Sequence, residues 1–144
     1  KSSAVENGRP IPTKHAGEGE NVSPPLSWSD VPDGTKGFAL VCLDPDAPTP
    51  EPWVHWVVYA IPEGRRGFEM GTVEGALEGR NTAGDPNYTG PMPPEGHGTH
   101  HYHFTLYALD APVALEPGST KDELMGAIEG HVIGRAELVG TYER

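Results

Sequence analysis

HHYHFTLYAL, residues His100–Leu109, is the stretch of sequence that decides the fold. Its aromatic and apolar composition favours a buried β-strand over a helix. Side chains on a strand alternate between the two faces, so His100 and Tyr102 are predicted to share one face. His101 and His103 are predicted to point to the other. This stretch therefore divides its histidines between the two sides of a sheet.

Three further segments have a similar strand-like character. They are FALVCLD (Phe38–Asp44), VHWVVYAI (Val54–Ile61) and the tail AELVGTY (Ala136–Tyr142). Each of the first two is closed off by a proline-bearing loop, which is typical of short strands joined by shaped turns. Together the four segments predict a mainly antiparallel β-fold.

One helix is predicted near the carboxyl end. Thr120 and Glu123 have the spacing of a capping box, in which each side chain satisfies the other's backbone N–H. Gly130 lies where such a helix should stop. The helical face is predicted to consist of Leu124, Ala127, Ile128 and His131.

Length, charge and cysteine content limit the class of protein. The 144 residues predict one domain over residues 1–144. A net charge of −11 disfavours nucleic acids and anionic lipid surfaces as partners. No apolar run approaches the roughly 20 residues of a membrane span. A single cysteine, Cys42, cannot form an internal disulfide, so a cytoplasmic location is expected.

The four histidines between Gly96 and Phe104 raise the question of a metal site. Because strand alternation separates them, no more than two of the strand histidines share a face. A zinc site would need further ligands from elsewhere, with His55 and Asp44 as the candidates. The sequence therefore favours a site without metal.

The ends of the strands carry side chains that favour an anion pocket instead. Asp44 and Asp46 follow the first strand, Trp53 and His55 begin the second, and His100 and Tyr102 begin the third. If these strands are neighbours, their ends meet in one cavity where hydrogen-bond donors outnumber acceptors. Backbone N–H groups near Gly90 are expected to add donors for a small anion or phosphate group. Asp44 is expected to accept a hydrogen bond from one imidazole.

The chain resembles the phosphatidylethanolamine-binding protein family, in particular its bacterial and archaeal Raf-kinase-inhibitor-like branch. The resemblance runs from about Asn7 to Tyr142 and is carried by five segments: GEGENVSPPLSW (Gly17–Trp28), VPDGTKGFALVCLDPDAP (Val31–Pro48), WVHWVVYAIP (Trp53–Pro62), GPMPPEGHGTHHYHFTLYALD (Gly90–Asp110) and EGHVIGRAELVGTY (Glu129–Tyr142).

The resemblance implies a large central antiparallel sheet, a second smaller sheet and one or two peripheral helices. It also implies a shallow pocket for phosphate and phosphorylated head groups, and it permits a homodimer. The positions that match the family's pocket motifs are Asp44, Asp46, Pro48, Trp53, His55, Gly90, Pro91, His100 and Tyr102.

Five positions depart from the branch's usual pattern. Leu43 stands where the branch commonly has an acidic residue, and His101 stands where it usually has arginine. Strand parity predicts that both side chains face away from the pocket. Thr82, Ala83 and Met92 also differ from the family pattern, and they lie in or just before the long loop Gly84–Gly98. These differences leave the choice of ligand open.

Three functions fit these observations. The first is a non-catalytic protein that binds a small phosphorylated or anionic ligand, with no cofactor. The second is a regulator of a protein partner, a kinase or a protease, gated by the same pocket. The third is a phosphate-ester or metal-assisted hydrolase, which is disfavoured because the sequence has no G-x-S-x-G motif and Cys42 lies in an apolar run.

Overall fold

The computed structural model describes residues 1–144 and consists mostly of β-strands. The elements in chain order are a 3₁₀ helix at Thr13–His15, β1 (Leu26–Ser27), β2 (Gly37–Asp44), β3 (Trp53–Pro62), β4 (Gly67–Phe68), β5 (Leu77–Glu78), β6 (His100–Leu109), α1 (Lys121–Ile128) and β7 (Val132–Tyr142).

The strands form one large and one small antiparallel sheet. The large sheet has the order β5-β3-β2-β6-β7, and the small one pairs β1 with β4. The predicted mainly β fold with two sheets and a peripheral helix is confirmed. The two-residue strands were outside the reach of pattern reasoning, because so short a segment has no periodicity.

The two faces of the large sheet are buried against different parts of the chain. On one face, called here the pocket face, Phe38, Leu40 and Trp56 pack with Leu26 and Phe68 of the small sheet. Packing of the small sheet against this face explains why the central strands direct apolar side chains towards it.

The opposite face, called here the helix face, is covered by α1. Val41 and Val57 of the sheet pack there with Leu124 and Ile128 of the helix. The Tyr59 hydroxyl donates to the Glu116 carbonyl, which holds the segment before α1 against the sheet.

A β-bulge in β3 changes the direction of one pocket side chain. Cys42 pairs with Trp56 and Leu43 pairs with Val54, so His55 is the extra residue. Because of this insertion, His55 and Trp56 both face the pocket side, although they are adjacent in sequence. Simple alternation would have sent them to opposite faces.

Helix α1 is confirmed, with two corrections to its predicted face. Thr120 accepts a hydrogen bond from the Glu123 N–H, and the Glu123 carboxylate accepts one from the Thr120 N–H, which completes the capping box. Leu124 and Ile128 are buried, but Ala127 is exposed. His131 lies beyond the helix, since the helix ends at Ile128.

Strand β7 begins at Val132, four residues before the predicted start at Ala136. The added residues are mostly exposed and contain Gly134, so their composition gave no strand pattern. In the structure they are held by pairing with the end of β6.

No helix in the protein combines the length and apolar character that crossing a membrane would require.

Candidate functional site

A hollow of about 290 Å³ lies where the ends of β2, β3 and β6 meet. Seven of the nine expected pocket residues line it: Asp44, Pro48, Trp53, His55, Gly90, His100 and Tyr102. The antiparallel pairing of β2 with both β3 and β6 brings these distant positions together.

Asp44 and His100 form the buried base of the hollow. Asp44 Oδ2 lies 2.7 Å from His100 Nδ1, and both side chains are almost wholly buried. Asp44 Oδ1 accepts a second hydrogen bond from the Asp46 backbone N–H at 2.8 Å. An ionised carboxylate only accepts hydrogen bonds, so His100 Nδ1 carries a proton and Nε2 is the remaining ring nitrogen. The expected bond between Asp44 and an imidazole is therefore present.

His97 occupies that remaining nitrogen. Its Nδ1 lies 2.6 Å from His100 Nε2, and the two rings are 4.8 Å apart in an edge-to-face arrangement. His97 is exposed and is flanked by Gly96 and Gly98, both with positive φ. The sequence left the direction of His97 open, and the structure turns it onto His100.

His55 is the second imidazole of the hollow. Its Nδ1 is 2.6 Å from the carbonyl oxygen of Thr89, which can only accept, so Nδ1 donates and Nε2 is left without a proton in the neutral ring. Burial lowers the pKa of His55 below its ordinary value of 6.5, against the opposing effects of Thr89 and Asp44. The expected donor role of His55 therefore requires that its ring takes up a proton.

Tyr102 lies near both imidazoles. Its ring is 5.1 Å from that of His55 and 6.5 Å from that of His100. Burial, followed by the neighbouring charge of Asp44, raises the pKa of Tyr102. The phenol therefore keeps its proton at neutral pH and can donate it.

The expected donor role of the Gly90 N–H is not supported by the structure. Gly90 lines the hollow, but its N–H donates to Asn21 Oδ1 at 2.7 Å. A Cβ at Gly90 would overlap the carbonyl oxygen of His15, which explains why glycine suits this position. Gly90 thus permits a close packing of two loops.

Asp46 and Pro91 do not line the hollow. Asp46 Oδ2 accepts hydrogen bonds from the backbone N–H and the ring Nδ1 of His101, on the far side of β6. Pro91 is buried behind the wall, where its carbonyl oxygen accepts from the Gly17 N–H. Strand parity does not extend to Asp46, because β2 ends at Asp44.

The rim of the hollow is mostly apolar. Pro48 and Trp53 stand on one side, and Ala83, Met92 and Pro94 complete the edge. Leu43 and His101 are absent from the lining, as strand parity predicts. Two of the positions that depart from the family pattern, Ala83 and Met92, therefore border the space where a ligand would lie.

Several supporting residues were missed from the sequence. Asn81 donates to the Asn87 carbonyl and to Thr89 Oγ1, and accepts from the Asp85 N–H. This buried amide shapes the loop that carries Thr89, yet a lone asparagine has no sequence pattern that would reveal it. His97 had one usable indication, since two glycines flank it.

No group of three or more His, Cys, Asp or Glu side chains in the protein has an arrangement that could hold a metal ion. The sheet itself separates the clustered histidines, since His103 approaches Glu137 on the helix face.

Comparison with known proteins identifies the family. The family model described as phosphatidylethanolamine-binding protein matches residues 1–143. The chain belongs to the phosphatidylethanolamine-binding protein family. The resemblance inferred from the sequence motifs is thus confirmed.

The similar proteins include archaeal and bacterial members. A UPF0098 protein of Methanothermobacter thermautotrophicus is 44% identical over all of this chain and 97% of its own length. A UPF0098 protein of Chlamydia trachomatis is 43% identical, over 99% of this chain and 97% of its own.

Solved structures of the family are similar along the whole chain. The crystal structure of a phosphatidylethanolamine-binding protein homolog from Chlamydia trachomatis has a TM-score of 0.94 and 42% identity, covering 100% of this chain and 95% of that one. Escherichia coli YbcL, described as a member of the mammalian family, has a TM-score of 0.94 and 34% identity, covering 100% of this chain and 96% of its own.

Proposed function

We propose that this protein binds a small anionic ligand, a phosphate or a phosphorylated head group, in the hollow at the ends of β2, β3 and β6. The observation that carries the proposal is that His55, Tyr102 and His100 surround one space of about 290 Å³. That space has room for roughly ten water molecules, enough for a phosphate group with a short substituent.

The pocket can supply positive charge and donors without a metal ion. The Tyr102 hydroxyl can donate a hydrogen bond to a ligand oxygen. His55 and His100 each have one ring nitrogen, Nε2, that is not bound to Asp44 or Thr89. Protonation turns these two nitrogens into charged donors, which bind a phosphate oxygen more strongly than neutral ones. Both Asp44 oxygens already accept hydrogen bonds from the protein, so its charge is largely satisfied internally.

Binding must be a local effect, because the protein as a whole repels anions. The net charge is −11, and a protein that attracted its ligand through a general field would need the opposite sign. The buried donors of the pocket supply the attraction for an anion that the negatively charged surface does not.

We further propose that the protein is not an enzyme. The single thiol, Cys42, lies on strand β2 and is buried in the core. Burial raises its pKa well above the ordinary value of 9.0. Such a thiol is an inert packing group. A regulatory role, in which ligand occupancy controls a protein partner such as a kinase or a protease, is compatible with a shallow binding site of this kind.

Hydrolysis of a phosphate ester is the second candidate function. A buried carboxylate that orients an imidazole, as Asp44 orients His100, can serve as a general base for water. Phosphate release from phenyl phosphate, followed over hours with and without added divalent metal ions, separates the two functions. Binding without release supports the non-catalytic proposal.

The decisive test is a calorimetric titration of phenyl phosphate into the wild-type protein and His100→Asn. The asparagine amide can keep the bond to Asp44 but lacks the position of Nε2. Loss of one charge-assisted hydrogen bond predicts an affinity about ten- to hundredfold lower.

Lys121→Ala is the matched control for this titration. Lys121 lies with Arg80 in a neighbouring groove of about 670 Å³, which is a second place where an anion could find cations. The proposal predicts an unchanged affinity for Lys121→Ala. If Lys121→Ala loses affinity while His100→Asn keeps it, the ligand binds in that groove and the proposal is wrong.

A further inference from the structure

The contact between His97 and His100 limits what the pocket can bind. His100 has two ring nitrogens, and Asp44 uses Nδ1. His97 Nδ1 lies 2.6 Å from the second nitrogen, Nε2. Nothing on His100 is therefore left for a ligand oxygen while His97 keeps this position.

The contact also requires one shared proton between the two rings. Two imidazole nitrogens at 2.6 Å need one proton between them, because two lone pairs or two N–H groups would repel. If that proton is on His97, it satisfies the lone pair of His100 Nε2. If it is on His100, the lone pair of His97 accepts the hydrogen bond that an anion would otherwise accept. In both cases His97 competes with the ligand.

The segment that carries His97 lies at the surface and is flanked by two glycines. His97 is exposed, whereas His100 is almost wholly buried. Gly96 and Gly98 have φ values of +73° and +95°, in the left-handed region that glycine adopts without strain. The segment is held from outside the pocket, where the Gly96 N–H donates to the Arg144 carbonyl.

We propose that His97 is a built-in competitor for the ligand: it bonds to the same His100 nitrogen that a ligand oxygen must reach, and binding through that nitrogen requires His97 to swing away. This inference rests on the proposed function, since it concerns the same site. It adds that His100 Nε2 is covered in the ligand-free protein by one of the protein's own side chains and that residues 96–98 are the part that must move.

The first test measures the affinity of phenyl phosphate by calorimetry for the wild type, His97→Ala and His97→Asn. Removing the competing hydrogen bond predicts roughly three- to tenfold tighter binding by His97→Ala. His97→Asn places an amide where Nδ1 lies, so it is expected to restore the competition and an affinity near that of the wild type. His131→Ala removes an equally exposed imidazole at the far end of the sheet and is expected to change nothing.

The second test needs no ligand. Diethyl pyrocarbonate modifies unprotonated imidazole nitrogens, and the modified residues are located by mass spectrometry. His100 is expected to react slowly in the wild type and in His97→Asn, and several-fold faster in His97→Ala. His55, whose Nε2 faces the same hollow, serves as the internal reference for reagent entry.

The outcomes separate this inference from the function on which it rests. If the wild type binds no phenyl phosphate, the proposed function is wrong, and the reactivity of His100 alone decides whether His97 covers His100 Nε2. If the wild type binds but His97→Ala binds equally well or more weakly, His97 is not a competitor and the inference is overturned. Equal reactivity of His100 in all three proteins overturns it as well.

Discussion

The buried pair of Asp44 and His100 ties the end of β2 to the start of β6. The two side chains are 2.7 Å apart and almost fully removed from water. A buried charge whose partner is removed costs far more than an exposed one, because it loses both hydration and its hydrogen bond. The pair therefore contributes to stability and also orients the ring that faces the hollow.

We predict that Asp44→Asn destabilises the protein by about 1 to 3 kcal/mol. The amide cannot accept from both the Asp46 N–H and His100 as the carboxylate does. Asp110→Asn is the matched control, because Asp110 pairs with His131 at 2.8 Å in an exposed position. Asp110→Asn should change the free energy of unfolding by no more than about 0.5 kcal/mol. Urea denaturation measures both, and equal losses would show that burial does not strengthen the Asp44 pair.

His55 gives the pocket a predicted pH dependence. Burial lowers its pKa below 6.5, so the free ring is neutral at pH 7. An anion favours the charged ring, so binding takes up a proton, and affinity should rise as pH falls below about 6.5. The groups that face this ring are Asp44, His100 and Tyr102, together with the Thr89 carbonyl.

Phenyl sulfate is the suitable probe for this prediction, because its charge stays constant between pH 5 and 8. The rise in affinity should not exceed tenfold per pH unit for one proton. His55→Asn, whose amide can keep the bond to Thr89, should show a smaller rise. Identical pH profiles for the two proteins would remove His55 from the pH response.

At the scale of single residues, the sequence indicated most of the pocket side chains but not their partners. Parity along β6 placed His100 and Tyr102 together and His101 apart, because alternation in a regular strand is a geometric rule. The role of His97 could not be derived, since it lies in a loop with no such rule. The occupied N–H of Gly90 depends on Asn21, a contact 69 residues away in the chain.

At the scale of elements, the loop from Gly84 to Gly98 is held by buried polar contacts with other parts of the chain. Tyr88 donates to the His15 carbonyl, and Gly90 donates to Asn21. The loop is long for a connection within a compact domain, and it supplies part of the pocket wall. Both of these contacts come from the N-terminal segment, and Asn81 adds hydrogen bonds from the chain just before the loop.

We predict that Gly90→Ala destabilises the protein and weakens ligand binding together. An added Cβ would overlap the His15 carbonyl and Asn21, so the two loops must separate. A strained contact of this kind costs about 1 to 3 kcal/mol. Gly64→Ala is the control, because nothing lies near its Cβ position. Thermal unfolding and a phenyl phosphate titration test both effects, and a variant as stable as Gly64→Ala would refute the overlap.

The bulge in β3 shows where element-level prediction from this sequence stops. The strand itself was evident from its apolar residues, yet the insertion at His55 is visible only in the pairing with β2. Nothing in WVHWVV distinguishes a regular strand from a bulged one, because both faces of β3 are apolar. The capping box of α1, by contrast, was predicted correctly from two residues.

At the scale of the whole molecule, the net charge of −11 opposes the approach of an anion. The Debye length falls from about 30 Å at 0.01 M salt to about 8 Å at 0.15 M, so salt screens this repulsion. We predict that the association rate of phenyl phosphate rises roughly two- to fivefold over that range. Stopped-flow fluorescence, with Trp53 at the rim as reporter, measures the rate. A rate that falls with salt would show that a local positive field steers the ligand.

The overall architecture was more predictable than the site. Four long strands and one capped helix follow from composition and periodicity, and the five matching segments indicated the family. The sequence predicted that the strand ends meet only on the assumption that the three strands are neighbours. The pairing of β2 with both β3 and β6 fulfils that assumption. The contact of His97 with His100 depends on the path of one loop, which no pattern in the sequence encodes.

The central claim is that the hollow between His55 and His100 is where the anion binds, and a crystal structure with phenyl phosphate tests it most directly. The account predicts phosphate oxygens within about 3 Å of His55 Nε2, His100 Nε2 and Tyr102 Oη, with His97 displaced from His100. A phosphate held by Arg80 and Lys121 in the neighbouring groove, with the hollow unchanged, would contradict the account.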